Sequence, residues 1–367
     1  MPAVEETLTL RRLNRATLAR QLLLGREPIA AARAVERLGG LQAQEAKPPF
    51  LGLWTRLERF DRAALHAALH DRSVVRATLM RATLHLMSAA DYAALRTTLQ
   101  PVLSGASRAV LRSRDAALDV DRLLAAARRL LAERPLTFNE LRPRLVKAFP
   151  GADERALGYA VRMELPLAMV PTEDRWSFPS DAAFTPAEQW IGGTFAEPDP
   201  AALARRHLGA FGPASAADVQ AWSGLKGMKD VLEAMGDELV AFEHGRRTLF
   251  DLPGAPRPDE DTPAPPRFLP EFDSVLLAHA DRTRVIDDEH RKSLATKNLR
   301  VKATFLVDGF AAGSWTTARK RDTVTLTVTP FAKLPDRARD ELAAEGEALL
   351  AFLDDTAAER RVEFATP

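Results

Sequence analysis

The chain of 367 residues has no cysteine and no apolar run long enough to cross a bilayer. Without thiols there is no disulfide framework, no thiolate zinc site and no cysteine nucleophile. That composition suits a reducing, cytoplasmic setting. A membrane-spanning helix needs about 20 consecutive apolar residues, so no membrane partner is expected. The N-terminal MPAVEETLTLRRLNR is charged from its fifth residue and lacks the apolar core of a secretory leader. The phosphate-cradling patterns GxxxxGK[ST] and GxGxxG are missing, and so is the hydrolase pattern GxSxG. Nucleotide hydrolysis and a dinucleotide cofactor are thereby disfavoured, and no cofactor is expected. Asp287-Asp288-Glu289-His290 carries metal-type ligands, but consecutive side chains point in different directions. It reads as a solvated charged turn, and no metal is expected.

What the chain does have is segregated charge. Residues 1–150 hold 25 Lys and Arg against 14 Asp and Glu, leaving 26 against 36 beyond them, for a net charge of only +1. A basic N-terminal part joined to an acidic C-terminal part suits an anionic partner for the former. Arginines that merely solvate helix faces would give the same count.

The first 150 residues read mostly as helix. Asn14 is placed to cap RATLARQLLL, Gly25 to end it, Pro28 to open IAAARAVERL, and Gly39-Gly40 to stop that helix. A further helix is expected from about Phe50 to Arg59, and a short one opened by Asp61. RATLMRATLHLM, residues 76–87, alternates like two tightly joined strands, after which Ser88-Ala-Ala-Asp91 caps another helix. Short helices followed by a hairpin are the ingredients of a winged helix-turn-helix. The pattern recurs from Pro135, with RWSFPSDAAF as the wing, and from about Ala201, with HGRRTLFDL as the wing. A proline-rich linker spans 253–270. Beyond it DSVLLAHADRTRVI, VKATFLVDGFAAGSW and DTVTLTVTPF alternate like strands before a last helix from Pro335. The fold class is therefore α+β and mainly helical. Three tandem winged helices are expected at 1–130, 131–198 and 199–255, followed by the linker and a β-rich, barrel-like domain with a terminal helix at 256–367. There is no coiled-coil seam, which fits a monomer.

Past Gly39-Gly40 an extended chain would point Gln42 and Gln44 to one side, with Ala43 and Glu45 on the other. Two amides offer acceptors and donors enough to fix one water or one base edge, whereas surface filler is the plainer alternative. His85 alternates with Thr83 and Arg81, and is either a satisfied sheet-edge histidine or a substrate or DNA contact. His279, Asp281 and Thr283 alternate likewise, with Arg282 and Arg284 opposite. They form either a site or an interdomain hydrogen-bond network.

LGGLQAQ, LWTR, MRATLHLM, RRHLGAFGPASAADVQAWSGL and LPEFDSVLLAHADRTRV occur in that order, from near Leu8 to the final helix. Together they resemble the AlkZ/YcaQ-type family of bacterial winged-helix DNA glycosylases. The resemblance implies three winged helices, a β-rich C-terminal domain and monofunctional DNA glycosylase activity. The family motif of glutamine, an apolar residue, then glutamine or aspartate falls on Gln42-Ala43-Gln44, which makes Gln42 and Gln44 the expected catalytic pair. Members with two glutamines look like those that remove bulky natural-product adducts and unhook interstrand crosslinks, a role in self-resistance. The expected partner is double-stranded DNA with alkylated bases, so the protein would be nucleoid-associated when bound. Arg81, His85, His279, Asp281 and Arg282 are the expected DNA or lesion contacts. Lys47, as a Schiff-base lysine, has no support from the resemblance. A winged-helix regulator without chemistry is the rival reading.

Overall fold

The computed structural model describes residues 4–114, 117–294 and 301–366. The chain enters through strand β1 (Val4–Thr7), and Thr9 caps helix α1 (Leu10–Arg20) by accepting the Arg12 N–H. Asn14, expected as that cap, lies inside the helix and is fully buried. Its amide donates to the carbonyls of Arg284 and Gly309, each at 2.8 Å. A polar residue that looked like a helix start instead ties the first helix to the C-terminal part. Helix α2 (Ala31–Arg37) ends at Gly39 and Gly40, whose φ angles are 68° and 85°. A Cβ on Gly40 would stand 2.9 Å from the Leu86 carbonyl oxygen, so only glycine admits the close approach that follows. That approach lays β2 (Leu41–Gln42) beside a hairpin.

Pro48 and Pro49 open helix α3 (Pro48–Trp54); proline suits a first turn, where its missing N–H has no partner to lose. Asp61 caps α4 (Arg62–His70). The hairpin is β3 (Val74–Thr78) and β4 (Leu84–Ser88). It is joined by a 3-10 turn at Met80–Ala82, where Arg81 and Ala82 have positive φ. Arg81 therefore sits on the turn and does not share a strand face with His85. Ser88 accepts the Asp91 N–H at 3.1 Å and starts α5 (Ala89–Leu95), which leads to α6 (Gln100–Arg114).

Next come α7 (Val120–Glu133), α8 (Phe138–Ala148), begun by a Thr137/Glu140 capping box, and α9 (Glu154–Glu164), capped by Asp153. Strands β5 (Leu167–Met169) and β6 (Phe184–Pro186) follow, so most of RWSFPSDAAF is their connection. Because β5 also pairs with β3, one antiparallel sheet runs β2-β4-β3-β5-β6. Leu86 of this sheet shares one core with Leu141 of α8 and Leu157 of α9. After α10 (Ala187–Ile191), helices α11 (Pro200–Phe211), α12 (Ala216–Ser223) and α13 (Met228–Met235) lead into the hairpin β7 (Val240–His244) and β8 (Arg247–Asp251). The N-terminal β1 completes this sheet by pairing parallel with β7.

The C-terminal sheet collects β9 (Arg267–Leu269), β10 (Thr304–Val307), β11 (Phe310–Lys320), β12 (Thr323–Pro330) and β13 (Glu359–Phe364) in the order β13-β12-β11-β10-β9. Among the described residues it is a sheet with two edges. Leu342, Leu349 and Leu350 of helix α15 (Asp336–Leu353) pack against Phe268, Leu326 and Val328. Residues 273–286, expected as a strand, form a 3-10 turn at Ser274–Leu276 capped by Asp273 and then irregular chain up to α14 (Asp288–Leu294). Val275, Ala278 and Val285 are buried there, so burial of an irregular segment produced the apparent alternation. Among the described residues no helix is long and apolar enough to cross a membrane.

Candidate active site at the glutamine segment

Gln42 ends β2 directly opposite His85 of β4. Ala43 is buried and donates its N–H to the Leu84 carbonyl at 2.7 Å. The Gln42 side chain is nearly buried, and its Oε1 accepts from Arg81 Nη2 at 2.8 Å. Arg81 also donates to the Trp222 carbonyl, so the left-handed turn places one guanidinium between β2 and α12. Gln44 is exposed, and its Oε1 accepts the Leu84 N–H at 3.3 Å. Both partners can only donate, and this fixes which end of each amide is oxygen. Each Oε1 keeps one lone pair free of these bonds.

Beyond Gln42 the strand ends and the chain bends over residues 44–47. Strict alternation therefore fails, and Gln44 and Glu45 line the same cavity, about 620 Å³ in volume. Four arginines share its wall: Arg76 from β3, Arg142 from α8, and Arg155 and Arg162 from α9. Arg76 Nε donates to the Ala43 carbonyl at 3.0 Å and Nη2 to the Gln44 carbonyl at 3.3 Å, holding the backbone of the glutamine segment. Its guanidinium lies 4.8 Å from the Phe178 ring centre, while that of Arg162 lies 5.5 Å from both Phe138 and Phe184. Burial first, and then the like charge of Arg162, push Arg76 down to about 10, so it stays charged at neutral pH.

The remaining sequence candidates are engaged within the protein. His85 is buried and hydrogen-bonds the Thr83 carbonyl through Nδ1 at 3.0 Å. Burial, then the Arg81 charge, push it down to about 3, so it is neutral and cannot shuttle a proton near pH 7. Arg81 falls to about 10, chiefly through burial and then through the like charge of Arg282, whose Nε donates to the His279 carbonyl at 3.5 Å. His279 is buried with Nε2 at 3.0 Å from the Phe211 carbonyl. Asp281 pairs with Arg247 and accepts from Thr283. His279 and Asp281 are thus bonded to α11 and β8 respectively. Asp287, Glu289 and His290 do gather one ligand atom each within 4.8 Å of one another, because the turn into α14 folds them together. Asp287 and Glu289 are exposed, however, and His290 stacks on Phe331 at 4.3 Å.

A family model described as DNA glycosylase AlkZ-like matches residues 35–352. The chain belongs to the AlkZ-like DNA glycosylase family. It is 28% identical over 360 residues to a Streptomyces sahachiroi protein named "Interstrand DNA cross-link repair glycosylase", covering 89% of this chain and 92% of that one. Its fold matches the solved structure of Streptomyces sahachiroi DNA glycosylase AlkZ with a TM-score of 0.80 at 24% identity, over 98% of this chain and 100% of that one. AlkZ-like membership makes the protein a DNA-repair enzyme, a hydrolase of N-glycosyl bonds. Two motifs that carried the resemblance meet in space as a buried ion pair: Arg56 of LWTR binds Asp273 of LPEFDSV at 2.8 Å. The cleft arginines and aromatics of this AlkZ-like chain were missed in the sequence. Their signal was the spacing of Arg155, Tyr159 and Arg162, which puts all three on one face of a helix. Lys47 is not on the cavity wall; its ammonium lies 6.0 Å from the Trp176 ring centre.

Proposed function

We propose that the protein hydrolyses the N-glycosidic bond of alkylated, cationic purines in duplex DNA, using a water held by Gln42 and Gln44. The observation that carries this reading is the Gln44 amide, fixed in orientation and exposed on the wall of a nucleotide-sized, arginine-rich cleft. A purine alkylated at ring position seven leaves with the bonding electrons and is thereby neutralised, so it needs little acid assistance. The sugar is left oxocarbenium-like, water adds to the anomeric carbon, and a proton passes to solvent. The free lone pairs of the two amide oxygens orient that water and stabilise the developing charge, with a gain of ~10²–10⁴-fold. Bulky adducts and interstrand crosslinks are the lesions this reading assigns to the protein, in a self-resistance role.

The rest of the machinery follows the same geometry. Arg81 and His85 act through Gln42, which they flank, and Arg282 reinforces the positive potential beside them. His279 and Asp281 hold the C-terminal segment against α11 and β8. We read the first helices with β3–β4, α8–α9 with β5–β6, and α11–α13 with β7–β8 as three tandem winged helices at 1–130, 131–198 and 199–255 respectively, with 256–367 as the C-terminal domain. The protein acts as a monomer on chromosomal DNA in the cytoplasm.

A second reading has one observation in its favour. Glu45 also lines the cleft and is a carboxylate able to take a proton from water. A single-turnover assay on duplex bearing a seven-alkylated guanine, scoring abasic sites, separates the two. The glutamine reading expects Gln42→Ala and Gln44→Ala each to lower the rate by ~10²-fold or more, with Glu45→Gln within a few-fold of the parent. The opposite pattern assigns the water to Glu45. No base release from methylated, bulky or crosslinked substrates alike would sink both.

A further inference from the structure

We propose that the cleft beside Gln44 contains a phosphate site, in which Arg155 and Arg162 of α9 take a backbone phosphodiester of the lesion-bearing strand. Among the described residues neither arginine forms a salt bridge with a carboxylate. Arg142 has only a loose contact with Glu154, at 3.8 Å. Four guanidinium groups line the cleft against two carboxylates, Glu45 and Asp181, and Asp181 already accepts from Asn139 at 2.7 Å. Arg162 Nε is buried without a hydrogen-bond partner. A desolvated cation with an unused donor is unfavourable unless something anionic completes it.

The chemistry of the walls selects which anion. Phe138 and Phe184 each lie 5.5 Å from the Arg162 guanidinium, and a planar guanidinium can meet two oxygens at once, the geometry of a phosphate. Arg155 lies two turns earlier on the same face of α9, within reach of the same or the next phosphate. A cationic alkylpurine would be repelled by this wall. The cleft therefore takes the sugar-phosphate side of the nucleotide and leaves the base to the glutamines. The inference rests on the cleft facing DNA, but it does not require that Gln42 and Gln44 perform the chemistry.

The test is binding of a labelled, undamaged duplex, followed by fluorescence anisotropy across a salt series. Each neutralised phosphate contact contributes about 0.9 to the slope of log affinity against log salt. Arg162→Gln and Arg155→Gln should each weaken binding by about tenfold near 0.1 M salt and lower that slope by about one, while Arg162→Lys keeps most of the slope. Arg205→Gln, on another face, should leave the slope unchanged. If the slope is unmoved in both Gln variants and their thermal unfolding matches the parent, the phosphate site is wrong. Arg155 is exposed, so its variant keeps the test decisive even where Arg162→Gln fails to fold. Displacement of the duplex by deoxynucleoside monophosphate or inorganic phosphate at matched ionic strength, without a slope change in the variants, assigns the site to free nucleotides and also overturns the proposal. Loss of base release in Gln44→Ala with the salt slope intact separates the two claims, because catalysis then fails while the phosphate site stands.

Discussion

Two cavities in this molecule are lined by four arginines each, and they are not alike. The second, about 490 Å³, lies between α1, α11 and the proline-rich linker and presents Arg20, Arg37, Arg205 and Arg206. Every one of these has a carboxylate partner: Asp251, Glu27, Glu238 and Asp91 respectively. At the glutamine cleft Arg76 instead hydrogen-bonds backbone carbonyls, Arg162 lies against aromatic rings, Arg142 has only the loose Glu154 contact, and among the described residues Arg155 forms no salt bridge. Arginine count is therefore a poor guide to where an anion binds. What matters is whether the surrounding carboxylates have already neutralised the charge. The first cavity has charge to offer a ligand, and the second uses its charge to hold the protein together.

The largest expected effect comes from breaking the neutral cavity. Arg20 and Asp251 are both fully buried and bonded at 2.7 Å. Arg20→Leu leaves Asp251 with Arg257, which stays bonded at 2.6 Å, and with the Leu252 N–H at 2.9 Å. Removing one member of a buried pair destabilises by about 3–5 kcal/mol, and the surviving Arg257 contact puts this variant near the lower end. Urea unfolding measures the loss, while the salt slope of DNA binding should not move. A variant as stable as the parent would show that the pairing does not hold this region.

A smaller effect tests the burial around that cavity with pH. His207 of α11 is buried with Nε2 at 3.0 Å from the Ala278 carbonyl, and burial pushes it down to about 4. Its unfolded value is about 6.5, so between those limits the unfolded chain binds more protons than the native one. Stability therefore rises with pH through this window and is lost as pH falls from about 6.5 towards 4. His85, held near 3, adds to the same trend. His207→Gln can keep the Nε2 donor without the titration. It should flatten the dependence by about 1.4 kcal/mol per pH unit in urea titrations between pH 6 and 4.5. An unchanged dependence would mean that His207 is not buried neutral.

The difference between the cavities also marks what was legible in the sequence. The hairpin, the Asp61 and Ser88 caps and the Gly39-Gly40 stop were readable because each is a local rule, settled within a few residues. Asn14 misled because its partners lie at Arg284 and Gly309, on the far side of the chain. The strand expected across His279 failed for a related reason, since a buried irregular segment alternates much as a strand does. At the candidate site, the resemblance singled out Gln42 and Gln44, of which Gln44 lines the cavity, whereas alternation misplaced Glu45 because it assumed the strand continued past Gln42. The surplus of basic residues before position 150 showed that charge existed. Which arginines lack partners depends on contacts between distant segments, and Arg155 and Arg162 lie outside that basic stretch altogether.

The finest way to sharpen the contrast is to move one cleft arginine without removing its charge. Gly158 sits in α9 where a Cβ would meet Arg142 Cδ at 3.3 Å and Phe138 at 3.5 Å. Glycine inside a helix is unfavourable by about 0.5–1 kcal/mol relative to alanine, so its presence here fits the close passage of the Arg142 stem. Gly158→Ala gains helix propensity but presses on that stem, and the two effects should leave stability within about 1 kcal/mol of the parent. Arg142 must shift by a few tenths of an ångström at its root and by more at its tip. If the cleft holds phosphate through positioned guanidinium groups, affinity for undamaged duplex should fall by about two- to threefold while the salt slope stays the same, because no charge has been lost. A cleft that merely attracts DNA by its net charge would not register the change, so equal affinities would reduce the site from a positioned one to a diffuse one.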